Sequence, residues 1–250
     1  MSRLLIVEED STLCTIFKQL LDTENTFQVD IVQTYKEAQV YLNRYRYEFS
    51  VVSRTLPDAT EGKIIALLNK YNVAPIVYAT EIDEDFIESY ESASIVEYIL
   101  RHRYANVEHV VARLRELQKN KKRLVVIAHK SEIYARYLKQ NLLLHNFQVI
   151  VTHTAPEAIK KLELHPLADI LIVDNELKQL AGLDGFDGIE LVKRVKKLNL
   201  QNLKIISLAS ESNAYITSRF LNEGADDYLI NQYSRDEFYI RIYQNLNNHD

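Results

Sequence analysis

The sequence predicts an α/β protein of two similar domains in tandem, each a parallel sheet of five strands covered by helices on both faces. Three observations carry that prediction. First, the chain repeats itself about 120 residues on: Leu4-Leu5-Ile6-Val7 recurs as Leu124-Val125-Val126-Ile127, and Val96-Glu97-Tyr98-Ile99-Leu100 as Asp226-Asp227-Tyr228-Leu229-Ile230. Between them Thr34, Glu37, Ala38 and Leu42 recur as Thr154, Glu157, Ala158 and Leu162. Solenoid repeats run about 20–50 residues, so a period this long marks a duplicated domain. Second, short continuous apolar runs alternate with amphipathic stretches, the pattern of strands buried on both faces. Third, 250 residues fit two domains of ordinary size, and an apolar content of 47% suffices for two cores.

The elements follow in order. Residues 4–7 read as a buried strand, and Ser11 as the cap of a helix to about residue 21. Strand 27–32 and helix 35–45 come next. Strand 49–52 leads into a turn at Leu56-Pro57-Asp58 and a helix over 62–71. Strand 76–79, a helix over 83–90, strand 95–100 and a helix over 106–118 complete the first copy. The second copy has strands near 124–128, 148–152, 169–173, 204–208 and 227–230, with helices between. Domains of 1–120 and 121–250 are expected. The join, Lys119-Asn120-Lys121-Lys122-Arg123, reads as a solvated basic helix end and a stiff linker. One loop differs: Ser53 to Gly62 is 9 residues, whereas Asp174 to Gly188 is 14. It holds three of the five glycines, and it lies at the carboxyl edge of the sheet, where parallel α/β folds place their sites.

Composition narrows the function. A net charge of −5 argues against general nucleic-acid binding, which shows as a basic face. Residues 1–120 hold 13 Lys/Arg against 19 Asp/Glu, and the remainder 17 against 16. The acidic half reads as a solvated surface. Cys14 is the only cysteine, so no intrachain disulfide forms, which suits a reducing compartment. No apolar run approaches the roughly 18–20 residues of a membrane span, and the amino terminus enters a strand without a signal peptide. A soluble cytoplasmic protein is expected.

Several segments, in this order and spacing, resemble the receiver domain of two-component response regulators, twice over. They are Leu5-Ile6-Val7-Glu8-Glu9-Asp10, Leu56-Pro57-Asp58 before Gly62, and Pro75-Ile76-Val77-Tyr78-Ala79-Thr80. In the second copy they are Asp169-Ile170-Leu171-Ile172-Val173-Asp174, Gly185-Phe186-Asp187-Gly188-Ile189-Glu190-Leu191 and Gly224-Ala225-Asp226-Asp227-Tyr228-Leu229. The resemblance implies a CheY-like, flavodoxin-like (βα)5 fold with strand order 2-1-3-4-5. It also implies a site. An aspartate ending the third strand takes a phosphoryl group, and an acidic pair after the first helps hold Mg²⁺. A Thr or Ser ends the fourth strand and a Lys the fifth.

Scored against that pattern, the copies lose different parts. In the first, Glu8 and Glu9 take the acidic pair, Ser53 the phosphoacceptor position, Thr80 the hydroxyl and Arg101 the Lys position, with His102 where Pro is usual. A serine there has no general base in this scheme. Magnesium at Glu8 and Glu9, lacking a third carboxylate, is expected to bind weakly. In the second copy Asp174 stands as phosphoacceptor candidate, but Ala128 and His129 replace the acidic pair. Ala209, followed by Ser210, reads at the Thr position, and Asn231, then Gln232, at the Lys position. Phosphate charge without a cation is poorly stabilised there.

Other motifs are bland. His129 has no second His or Cys at ligand spacing, and the run 182–188 matches neither a phosphate loop nor a calcium loop. The sequence reads as a tandem of degenerate receivers: a regulatory module of two-component signal transduction, not an enzyme, with no cofactor. It is expected to act through a homodimer, or through a histidine kinase or output domain such as a diguanylate cyclase. The rivals are a response regulator phosphorylated at Asp174 and a small-ligand module at the sheet edge. The dimer surface is expected over 83–90, 95–100 and 106–118, with reciprocal salt bridges from the last helix. The second copy's Phe238, Tyr239, Ile242 and Tyr243 are read as surface aromatics.

Overall fold

The computed structural model describes residues 2–22, 26–59, 62–81, 94–101, 106–177, 187–209, 214–230 and 233–247. The chain divides into two compact units, Met1–Gln118 and Lys119–Asp250. The expected helix over 83–90, together with His102, Gly182, Gly185, Ser210, Asn231 and Gln232, lies outside the described residues.

The first unit runs β1 (Ser2–Val7), α1 (Ser11–Asp22), β2 (Phe27–Val32), α2 (Tyr35–Arg44), β3 (Phe49–Val52), α3 (Lys63–Lys70), β4 (Pro75–Ala79), β5 (Glu97–Leu100) and α4 (Val107–Asn120). The second runs β6 (Leu124–Ala128), α5 (Glu132–Leu144), β7 (Gln148–Thr152), α6 (Ala155–Leu164), β8 (Ile170–Asp174), α7 (Gly188–Lys197), β9 (Lys204–Ala209), α8 (Ala214–Asn222), β10 (Asp227–Ile230) and α9 (Arg235–Asn247). The sheets have orders β2-β1-β3-β4-β5 and β7-β6-β8-β9-β10, every pairing parallel. This is the doubly wound arrangement the strand–helix alternation predicts.

The repeated words have local causes. Thr34 caps α2 by accepting the Glu37 N–H at 3.2 Å, while Glu37 Oε2 accepts the Gln33 N–H at 2.9 Å. Thr154 and Glu157 repeat both bonds at the start of α6, at 3.4 and 3.1 Å. Each pair satisfies amides that a helix start leaves open. Ala38, Leu42, Ala158 and Leu162 are the buried stripe of the same two helices. Only five glycines are present, and asparagine does their work at helix ends. Asn72 and Asn146 take positive φ of 56° and 68°, and the next residues, Val73 and Phe147, donate back to Leu68 and Leu142 across the last turn.

Three expectations change. Asp10, not Ser11, caps α1: its Oδ1 accepts the N–H groups of Thr12 and Leu13 at 2.8 and 3.3 Å, and Ser11 is already helical. The join is not merely a solvated helix end. Asn120 is fully buried in the second unit, its amide donating to His145 O at 2.9 Å and Tyr243 Oη at 3.0 Å. Phe238, Tyr239, Ile242 and Tyr243 are core residues, packed with Leu138, Leu142 and Phe147 under the second sheet. A helix covering a sheet buries its apolar stripe, so aromatic content on that stripe says nothing about an outer surface.

Candidate functional site

The carboxyl edge of the first sheet brings Glu8 beside Ser53. Their N–H groups donate to Val32 O at 3.0 Å and Val7 O at 2.9 Å, continuing the ladders by one bond. Glu8 is 2% exposed, so its charge needs internal partners. Ser53 Oγ donates to Glu8 Oε2 at 2.6 Å. Glu8 Oε1 accepts the Asp10 N–H at 3.0 Å and lies 3.4 Å from Arg101 Nη1. Arg101 Nη2 is 2.8 Å from Asp10 Oδ2. The guanidinium at the end of β5 thus bridges two carboxylates of the β1–α1 segment. Beside this network is a cleft of about 210 Å³, lined by Glu9, Ser53, Arg54, Thr55, Thr80 and Arg101 among others. Glu9 and Thr80 are exposed there. On β5, the Tyr98 hydroxyl donates to the Glu81 carbonyl oxygen.

At the same edge of the second sheet, Asp174 is 4% exposed. Its Oδ1 accepts the Glu176 N–H at 3.0 Å and its Oδ2 the Lys130 N–H at 3.1 Å. His129 Nδ1 lies 3.5 Å from Oδ2 but accepts the Ser131 N–H at 3.0 Å, so the ring is neutral with its proton on Nε2. Burial pushes the imidazole below its ordinary value; the Asp174 charge opposes this without overcoming it. The ring stacks on Tyr134, with centroids 4.8 Å apart. Lys130 pairs with Glu176 outside the carboxylate. Gly188, opening α7, has no room for a side chain: a Cβ would stand 2.3 Å from Asp174 O.

Residues 125–243 match the family model described as the response regulator receiver domain. The second unit belongs to the receiver family. Two solved structures of two-component system response regulator/GGDEF domain proteins superpose with TM-scores of 0.84 and 0.83, each at 24% identity over 98% of this chain and 98% of theirs. That likeness is one of fold, and the first unit shares the receiver fold through it. The comparison with curated proteins returns no match.

Strand register sharpens the comparison of the receiver with the receiver-like first unit. Val7 pairs with Val32 and Val52, and Ala128 with Thr152 and Val173. Val7 and Ala128 are therefore equivalent, and the first-strand repeat is one residue out of step with the Thr34/Thr154 repeat. Ala128 is a fully buried core residue, not a site residue, and His129 stands level with Glu8. Lys130 and Ser131 then match Glu9 and Asp10. Likewise Val52 pairs with Val77 and Val173 with Ser207, which puts Ala209 level with Ala79. The position matching Thr80 is residue 210. Asp174 stands level with Ser53, and Arg101 follows Leu100 as Asn231 follows Ile230.

The residues do not fit a magnesium ion. Both Glu8 oxygens and both Asp10 oxygens already accept bonds, and Glu9 is exposed. Among the described residues no group of three or more His, Cys, Asp or Glu is placed to hold a metal. Asp10 is the functional neighbour the sequence under-reads. An Asp two residues before a helical Thr is an N-cap signal, and that signal was available.

Proposed function

We propose that this chain is a tandem pseudo-receiver: a regulatory module of two-component signalling that works through protein–protein contact and without phosphate. One observation carries the reading. Each unit fills its own site. In the first, Ser53, the Asp10 N–H and Arg101 occupy the Glu8 carboxylate, so a guanidinium sits where a metal and phosphate would require open acceptors. In the second, two backbone amides occupy Asp174, and neutral His129 stands where the family places an acidic residue. We read the chain as a non-enzyme, in keeping with the regulatory role of receiver domains. No helix among the described residues is long and apolar enough to cross a membrane, and a cytoplasmic setting suits the single cysteine.

The partners we infer are a second copy and an output or kinase component. The two solved structures that match the whole chain are response regulator/GGDEF domain proteins, which favours an output domain of that class. Tyr215 and Leu221 stand exposed on α8 and offer apolar area for pairing. The test of phosphate independence is incubation with acetyl phosphate and Mg²⁺ followed by intact mass. No added phosphoryl mass is expected. A stable gain, absent in Asp174→Asn, would establish Asp174 as a working phosphoacceptor instead.

A further inference from the structure

His129 and Asp174 are set so that one proton can change which bond the ring makes. Nδ1 now accepts from the Ser131 N–H at 3.0 Å, and the same atom lies 3.5 Å from Asp174 Oδ2, just short of a direct bond. The ring and the carboxylate are both buried. Every charged or titratable group described around the ring is accounted for. Asp174 comes from β8. Lys130 and Glu176, from two loops, pair with each other. His153, after β7, donates from Nδ1 to the His129 carbonyl at 2.9 Å. Tyr134, on α5, stacks on the ring and donates to the Tyr233 hydroxyl. Of these, only Asp174 is placed to accept a proton carried by Nδ1.

We propose that His129 is a proton-operated switch of the second unit: protonation at Nδ1 breaks the Ser131 contact and redirects the ring to Asp174. This rests on the reading that Asp174 is closed to phosphate, and it supplies that site with another input. The mechanical consequence is local. Ser131 caps α5, its Oγ accepting the Tyr134 N–H at 3.3 Å. Once its own N–H loses the imidazole, the β6–α5 segment must re-seat, and Asp174 shares Oδ2 between the imidazolium and the Lys130 N–H. The helix start that holds Tyr134 therefore reports the protonation state.

The sign follows from burial. The folded imidazole lies below its ordinary value of about 6.5, so it is neutral at pH 7 and charges only in acid. The unfolded chain takes up the proton first as pH falls. Stability from neutral His129 is thus complete above about 6.5 and is lost as pH falls toward the lowered folded midpoint.

NMR titration of the whole chain from pH 7.5 to 5.0 tests the switch. The His129 ring is expected to titrate below 6.5, with the Lys130, Ser131 and Glu176 amides following at the same midpoint. In Asp174→Asn the midpoint is expected to fall by about one pH unit, because the opposing carboxylate charge is gone. His129→Gln is expected to abolish the amide titration. Wild-type amides that do not follow the ring overturn the switch, whether or not the variants fold, and so does a midpoint unmoved by Asp174→Asn. Intact mass after acetyl phosphate and Mg²⁺ at pH 7.5 and 5.5 separates the two readings. A phosphoryl gain defeats the closed site, whereas amides that fail to titrate defeat the switch alone.

Discussion

Arg101 gives the buried Glu8 its counter-charge from within the chain. A buried carboxylate without a partner is costly, and here the cation comes from the end of β5, across the sheet edge, rather than from solution. Removing it leaves Glu8 charged and buried. Arg101→Ala is expected to destabilise the first unit by about 2–3 kcal/mol, somewhat less than for a fully buried pair because the guanidinium is 18% exposed. Adding Glu8→Gln should recover much of that loss, since the amide keeps the size but not the charge. Urea denaturation of the two single variants and the double variant measures the coupling. Additive losses would show that Arg101 stabilises by packing alone.

Elements are fixed here by their ends. The α2 and α6 starts reuse one Thr–Glu device, and asparagines close helices where glycine is usual. The start of α7 is tighter. Asp187 caps it, accepting the Glu190 N–H at 2.9 Å, and Gly188 then packs against the carbonyl of Asp174. Gly188→Ala places a methyl 2.3 Å from that backbone oxygen and 3.1 Å from Val173 Cγ1. An overpacked contact against backbone cannot relax by a rotamer change. The variant is expected to lose about 2 kcal/mol in the second unit and to disturb the Asp174 amide bonds. Thermal unfolding measures the first effect and the Glu176 amide resonance the second. An unchanged melting temperature would mean that α7 slides freely along the sheet.

At the scale of the whole molecule the prediction concerns association. One donor of the expected reciprocal salt bridges is engaged within its own unit: Arg113 on α4 binds Glu97 on β5, as does His109. The aromatics of α9 are core. What supports pairing is the exposed apolar area of Tyr215 and Leu221 on α8, not charge. Sedimentation is expected to show a homodimer at micromolar concentration, unaltered by beryllofluoride and Mg²⁺ and weakened by Tyr215→Glu. A monomer throughout removes the dimer, and one formed only with beryllofluoride restores phosphorylation at Asp174.

The sequence by itself determined the fold. Apolar runs, amphipathic periods and a long repeat are summed over many residues, so the duplicated five-stranded parallel sheets and the strand ends bearing Ser53, Asp174 and Arg101 were legible. Single-residue register was not, because the repeat drops one position between the first strand and the second helix. Only pairing of β6 with β7 and β8 shows that Ala128 is core and that His129 answers Glu8. Nor could the sequence show that Arg101 reaches Glu8 and Asp10, more than 90 residues away. Periodicity is local and survives in the chain as written. Which groups neutralise a buried charge is decided by side chains from distant strands, and they meet only once the sheet has formed.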